Sequence, residues 1–344
     1  MAAYTTINKP SLYFNTKLYT GNGGTNAITG VGFQPDWTWI KRRDSTGDHG
    51  LYDVLRGVLK RLQSNESSAE ATTADSLTAF GTDGFTMGSN SSYNGSGNTY
   101  VSWNWKAGGS GSSNSDGSVS ATLSASAASG FSVSTFTTPG SGTFTVGHGL
   151  GVAPKMVIYR PTGSSSWQVG HDSLGWTNFL ALNNDGAGAS NTAFGNTAPT
   201  TSYWTGNTAN VGTNAPCVAY CFSEVRGYSK LGYYTGNNNV DGAFVNTGFK
   251  PAFLLIKIYS GTGQWTIFDN RRSSSGGGNK IDKILHPNVN NSENTADDVD
   301  FYSNGFKMRN TAANANGNGS TYIYMAIAEN PLVDSTGKIP ATAR

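Results

Sequence analysis

Charge is what this 344-residue sequence has least of: Asp, Glu, Lys and Arg together make up 13%, about half the usual share. With 23 basic against 21 acidic residues the formal net charge is +2, so no electrostatic footprint for a nucleic acid stands out. The densest basic cluster, Lys41-Arg42-Arg43, is balanced by Asp44 and Asp48. Cysteine is nearly absent too. Cys217 and Cys221 share one strand face about 13 Å apart at ~3.3 Å rise per residue, too far for a disulfide. They have no ligand spacing with histidine and read as core thiols of a chain assembled in a reducing cytoplasm. No apolar run approaches the ~20 residues of a membrane span, so no membrane insertion is expected. The start Met1-Ala2-Ala3-Tyr4-Thr5-Thr6 has neither the basic nor the apolar region of a signal peptide. The gaps between short β-branched and aromatic runs are filled instead by Ser, Thr, Asn and 45 glycines. That is the composition of an all-β protein with many tight turns.

One phrase recurs three times. Its first copy runs Tyr19-Thr20-Gly21-Asn22, then Gly32-Phe33-Gln34-Pro35, a hydrophobic strand ending at Lys41, and Asp53. Its third runs Tyr234-Thr235-Gly236-Asn237, then Gly248-Phe249-Lys250-Pro251, a strand reaching Lys257, and Asp269. The second is more worn: Phe136-Thr137-Thr138, Gly151-Val152-Ala153-Pro154, a strand ending at Arg160, and Asp172. From proline to Asp is 18 residues in each copy, and from proline to the closing strand 65, 63 and 71. A period of this length fixes the architecture first. The expectation is three tandem repeated β-sandwich (jelly-roll-like) units, with Pro35, Pro154 and Pro251 at one structural position and Asp53, Asp172 and Asp269 at another. The units span 1–106 with an N-terminal arm, 129–225 and 226–333. A Gly/Ser/Ala-rich linker, too poor in apolar residues to order itself strongly, occupies 107–128, and a polar tail 334–344. Asp83-Gly84 and Asn304-Gly305 mark tight hairpins. Tyr52–Leu62 and, more weakly, Lys280–Leu285 are the helical candidates.

No catalytic residue emerges. The three Asp residues each follow a hydrophobic strand, and the outer two have Arg56, or Arg271 and Arg272, close behind. That pattern reads as turn capping and ion pairing rather than metal binding or general acid catalysis. Glycoside cleavage needs a second carboxylate facing the bond, and none tracks through the copies. His49, His148, His171 and His286 fall at unrelated repeat positions without a nucleophile motif, and neither metal nor cofactor is expected. Binding is assigned to aromatics in polar loops, where a flat apolar ring lies beside hydrogen-bonding Asn and Thr: Tyr93, Tyr203 and Trp204.

Several strings carry a resemblance over nearly the whole chain. They are Tyr4-Thr5-Thr6-Ile7-Asn8-Lys9-Pro10-Ser11, Val31-Gly32-Phe33-Gln34-Pro35-Asp36-Trp37, Val146-Gly147-His148-Gly149-Leu150, Val218-Ala219-Tyr220-Cys221-Phe222-Ser223-Glu224-Val225, Gly227-Tyr228-Ser229-Lys230 and Ile327-Ala328-Glu329-Asn330-Pro331. The chain resembles tail-fibre-like structural proteins of marine tailed bacteriophages. The resemblance implies a non-enzymatic virion protein of tail-fibre or spike type. Other virion proteins, and a host-surface glycan or protein, would be its partners. A capsid decoration protein (cement or head fibre) and a carbohydrate-active depolymerase are the alternatives. Fibres of this kind imply a homotrimer, against which three units in one chain would imitate a trimer internally.

Overall fold

The computed structural model describes residues 4–274, 278–334 and 336. β-Strand takes 45% of the chain and helix 6%, far below the helical third of an average domain, so the protein is all-β. Among the described residues the α-helices are Ser91–Asn94, Thr208–Val211 and Ala313–Asn316, one short turn each.

A four-stranded antiparallel sheet is ordered Phe14–Thr20, Thr99–Trp105, Trp37–Arg42, Gly50–Asp53. Near the other end of the chain, Ser229–Thr235, Thr321–Pro331, Phe249–Ile258 and Thr266–Asp269 take the same order. The middle segment follows it again with Phe131–Thr137, Pro216–Phe222, Met156–Pro161 and Gln168–His171, inside an eight-stranded sheet. Smaller sheets accompany these: Asn26–Thr29 with Gly84–Met87 and Leu77–Gly81, Thr143–Gly147 with Tyr203–Asn207, and a four-stranded one from Phe244–Asn246 to Lys280–Ile284.

Period-2 alternation explains why the main strands are apolar almost without a break. In Trp37–Arg42 the side chains of Trp37 and Trp39 enter one core while Ile40 enters another. Met156 and Ile158 likewise share the first core, with Val157 and Tyr159 opposite. Phe253 and Leu255 do the same against Leu254 and Ile256. A strand buried on both faces has no polar row to show. The shared core is central: it gathers Trp37, Trp105, Phe131, Tyr220, Phe253 and Ile327 from all three main sheets. Trp37 stacks between Trp105 and Tyr220, with both ring centroids at 4.3 Å.

Two repeated glycines have a steric cause. Gly84 and Gly305 follow two-residue hairpin turns, and a Cβ on either would fall 2.0 Å from a carbonyl, Ile28 O or Val245 O. The Tyr-Thr-Gly-Asn phrase is explained by Asn94 and Asn316, both fully buried. Their side-chain amides bond Asn22 and Asn237 respectively, and Gly21 and Gly236 let that backbone approach.

Three expectations are corrected. Residues 107–128 are ordered: Ser112–Asn114 and Ala121–Ser126 form a hairpin that adds to the edge of Phe131–Thr137. Backbone ladder bonds order this segment together with the burial of Ala107, Ala121 and Leu123, and Asp36 Oδ2 anchors its start by accepting the N–H groups of Ala107 and Gly109 at 2.6 and 3.2 Å. The stretch 52–62 is no helix, since the chain turns back so that Leu51 bridges Leu62, and 280–285 is largely strand. Lastly, Trp37 faces Asp53 and Phe253 faces Asp269 across the ladder, but Met156 faces His171. The counterpart of the two aspartates is His171, and Asp172 lies one step beyond, in an exposed pair with Lys155. Of the tail 334–344, only Asp334 and Thr336 fall within the described residues.

Candidate functional site

Ladder register makes several side chains correspond, and they meet where one main sheet abuts the next. His49, Trp167 and Trp265 each precede the first paired residue opposite the central strand. Trp167 Nε1 donates to Gln63 O at 2.8 Å, and Trp265 Nε1 to Ala181 O at 2.9 Å. His49 Nδ1 accepts the Trp39 indole N–H at 2.8 Å, so its proton sits on Nε2, which donates to His286 O at 3.0 Å. The second segment thus reaches into the first, the third into the second, and the first into the third. The contacts form a closed ring.

Two of the strand-ending bases, Arg160 and Lys257, follow the same route. Lys41, Arg160 and Lys257 are all fully buried, and each donates to the carbonyl of its own next residue. Arg160 also reaches Ser68 O at 2.8 Å, and Lys257 reaches Asp185 O at 3.2 Å. Burial disfavours the charged form; it pushes Lys41 and Lys257 down to about 8 and Arg160 down to about 10.

At the first of these seams Asp53, with no exposed surface, pairs with Arg56 at 2.6 Å and accepts the Tyr220 hydroxyl at 2.9 Å. At the seam that closes the ring, Asp269 pairs with Arg272 at 2.5 Å and accepts the Trp103 indole N–H at 3.0 Å. Arg56 and Arg272 each donate onward to a carbonyl, Leu51 O and Ile267 O, at 2.9 Å. Burial alone would lower Arg56, but Asp53, Tyr220 and Glu70 together outweigh it and hold the guanidinium more basic than usual. At the remaining seam the acid is replaced by His171, and the residue three further on by apolar Leu174. His171 Nδ1 accepts Ser173 N–H at 3.1 Å, so Nε2 donates to Tyr324 O at 3.2 Å.

Residues 9–331 match the model of a family described as a domain of unknown function, DUF7483. The chain belongs to that family. No curated protein and no solved structure matches. The match runs through all three main sheets and the 107–128 hairpin alike.

The binding candidates from sequence fare differently. Tyr93 and Trp204 are fully buried, which corrects their assignment as stacking platforms. Tyr93 lies edge-on to Tyr52 and donates to His49 O, and Trp204 packs beside Tyr159 and Phe144. Tyr203 is half-buried. The structure does not bring these three together: Tyr93 and Trp204 sit in separate cores. Pro35, Pro154 and Pro251 are all buried, each two residues before its ladder partner to Asp53, His171 or Asp269. Among the described residues no group of three or more His, Cys, Asp or Glu could hold a metal ion, and no helix is long and apolar enough to cross a membrane. Glu70, Glu293, Arg43 and Thr162, missed in the sequence, become visible only because the seams can be compared. Of these, Glu70 and Thr162 border a cleft of about 570 Å³ between the first and second segments, lined also by Arg56, Thr122 and Thr137 among others.

Proposed function

We propose that the chain is three tandem copies of one β-sandwich closed into a ring, and that it serves as a structural virion protein of a tailed bacteriophage. Its task in this reading is host-surface recognition of the tail-fibre or spike type, in contact with other virion proteins. The single observation that carries the reading is the use made of its ionisable residues. Asp53, Asp269, Arg160, His49 and His171 are all engaged in contacts between segments, as a scaffold requires. The virion assignment rests on the resemblance of its sequence strings to tail-fibre-like proteins. Closure of the described residues into a ring, with Ile7 and Ile327 in one core, favours capsid decoration as the second reading. An antibody-labelled electron micrograph of the source particle tests both: label on the tail supports recognition, label on the capsid supports decoration, and an unlabelled particle rejects the virion reading.

The ring also bears on assembly. A homotrimer and an internal trimer would bury the same kind of surface, and here the central core is filled from within one chain. We therefore expect light scattering to give a single-chain mass near 36.1 kDa; three times that mass would restore the homotrimer.

A further inference from the structure

The three seams carry the same backbone contact but different charges. Glu293 N donates to Arg43 O at 2.8 Å, Glu70 N to Thr162 O at 2.6 Å, and Gly188 N to Tyr259 O at 2.9 Å. In each case the acceptor lies two residues beyond the buried base, Lys41, Arg160 or Lys257. Glu293, Glu70 and Gly188 therefore correspond, as do Arg43, Thr162 and Tyr259. At the seam closing the ring, the Glu293 carboxylate is clamped by Arg43, with Nε to Oε2 and Nη2 to Oε1 both at 2.9 Å, and is also touched by Arg272 Nη1 at 3.2 Å. At the Gly188–Tyr259 seam both acid and cation are missing. Only at the Glu70 seam does the acid stand without its clamp.

That seam is also where the cleft of about 570 Å³ lies, with Glu70 and Thr162 both on its wall. Glu70 Oε2 accepts from Arg56 Nη1 at 3.1 Å, the counterpart of the Arg272 contact. Among the described residues its Oε1 has only the Lys60 ammonium, at 3.9 Å, and that ammonium already donates to Thr72 Oγ1 at 2.8 Å. Lys60 is no substitute for the missing arginine, because Lys283 makes the same contact with Thr295 at the clamped seam. Shortening Arg43 to its threonine counterpart removes a planar fork of donors matched to a carboxylate and leaves room where it lay.

We propose that this cleft binds a guanidinium, the side-chain group of arginine, with Glu70 as its bidentate acceptor in the place that Arg43 takes on Glu293. The hydroxyls of Thr122, Thr135 and Thr137 line the approach and accept from the remaining donors.

The purified chain is titrated calorimetrically with Nα-acetyl-arginine amide, with the norleucine analogue, and with a short arginine-containing peptide. Saturable binding of the arginine probes and none of the norleucine compound is expected. Thr162→Arg, which supplies the clamp from within the chain, should weaken binding by at least about tenfold, the scale of one charge-assisted bidentate contact, and should raise Tm. Glu70→Gln should weaken it as much. Equal affinity for the amide and the peptide marks a free small molecule as the ligand source, and a tighter peptide marks a polypeptide. No saturable binding to the wild type, or undiminished binding to the Thr162→Arg variant, overturns the proposal.

Discussion

Replacing Arg272 by leucine is expected to cost about 3–5 kcal/mol, the usual result of removing one partner of a buried ion pair. The pair has no exposed surface on either side, so the Asp269 carboxylate would stay buried beside the Trp103 indole without its counter-ion. The natural precedent for leucine at this place is Leu174, but there the acid is also gone, replaced by His171, and the facing residue is Met325 rather than Trp103. The three differences belong together. A neutral imidazole accepts a backbone N–H through Nδ1 and donates through Nε2 to a carbonyl, whereas an indole facing it would oppose donor to donor. The triple variant Asp269→His/Arg272→Leu/Trp103→Met, which transplants the whole seam, should therefore recover much of what Arg272→Leu loses. Urea unfolding of both proteins beside the wild type checks this. A loss below about 1 kcal/mol for the single variant, the scale of an exposed pair, would show that the buried pair does not hold the ring.

The second large effect is acid lability. Burial lowers all four histidines, His171 to about 4. In His49, His148 and His171 the Nδ1 atom is an acceptor, from Trp39, Leu150 and Ser173 respectively. A proton arriving there would leave each of those N–H groups without its partner. Because the folded state holds its protons more weakly than the unfolded chain, unfolding takes protons up, and stability falls as pH drops below 6.5. For His171 the loss accumulates down to pH 4 and amounts to about 3 kcal/mol. Above pH 6.5 its contribution is constant. Thermal unfolding between pH 7.5 and 4 should show this slope, and His171→Gln should flatten it; identical slopes in the two proteins would place the acid sensitivity elsewhere.

Much of the scaffold was legible because its spacing is rigid. Counting 65, 63 and 71 residues from the prolines lands on Tyr100, Cys217 and Tyr322, whose ladder partners lie at one level of the three sheets. The same counting failed at Asp172, since sequence spacing does not register a loop one residue shorter, and only pairing reveals that Met156 faces His171. Polar neighbours misled at Tyr93. Asn94 beside it is itself buried, spending its amide on Asn22, Gly24 and Gly88, so asparagine there signals a satisfied interior turn and not an exposed loop. Tyr52 to Leu62 imitates a helix in composition, yet Leu59 at φ 65° turns the chain back on itself. The cleft was illegible for a different reason: Thr162 is unremarkable alone and becomes informative only against Arg43.

The central core begins with Ile7 and is completed by Ile327. During synthesis the faces of Trp37, Trp105 and Tyr220 that await Phe253 and Ile327 stay open until the third segment has been added. At the usual ~5–20 residues per second, the ~100 residues of the third segment arrive over about 5–20 s. For that interval this aromatic surface is exposed on a tethered chain that still lacks its third segment, so the step that closes the ring is also the step that ends its exposure to aggregation.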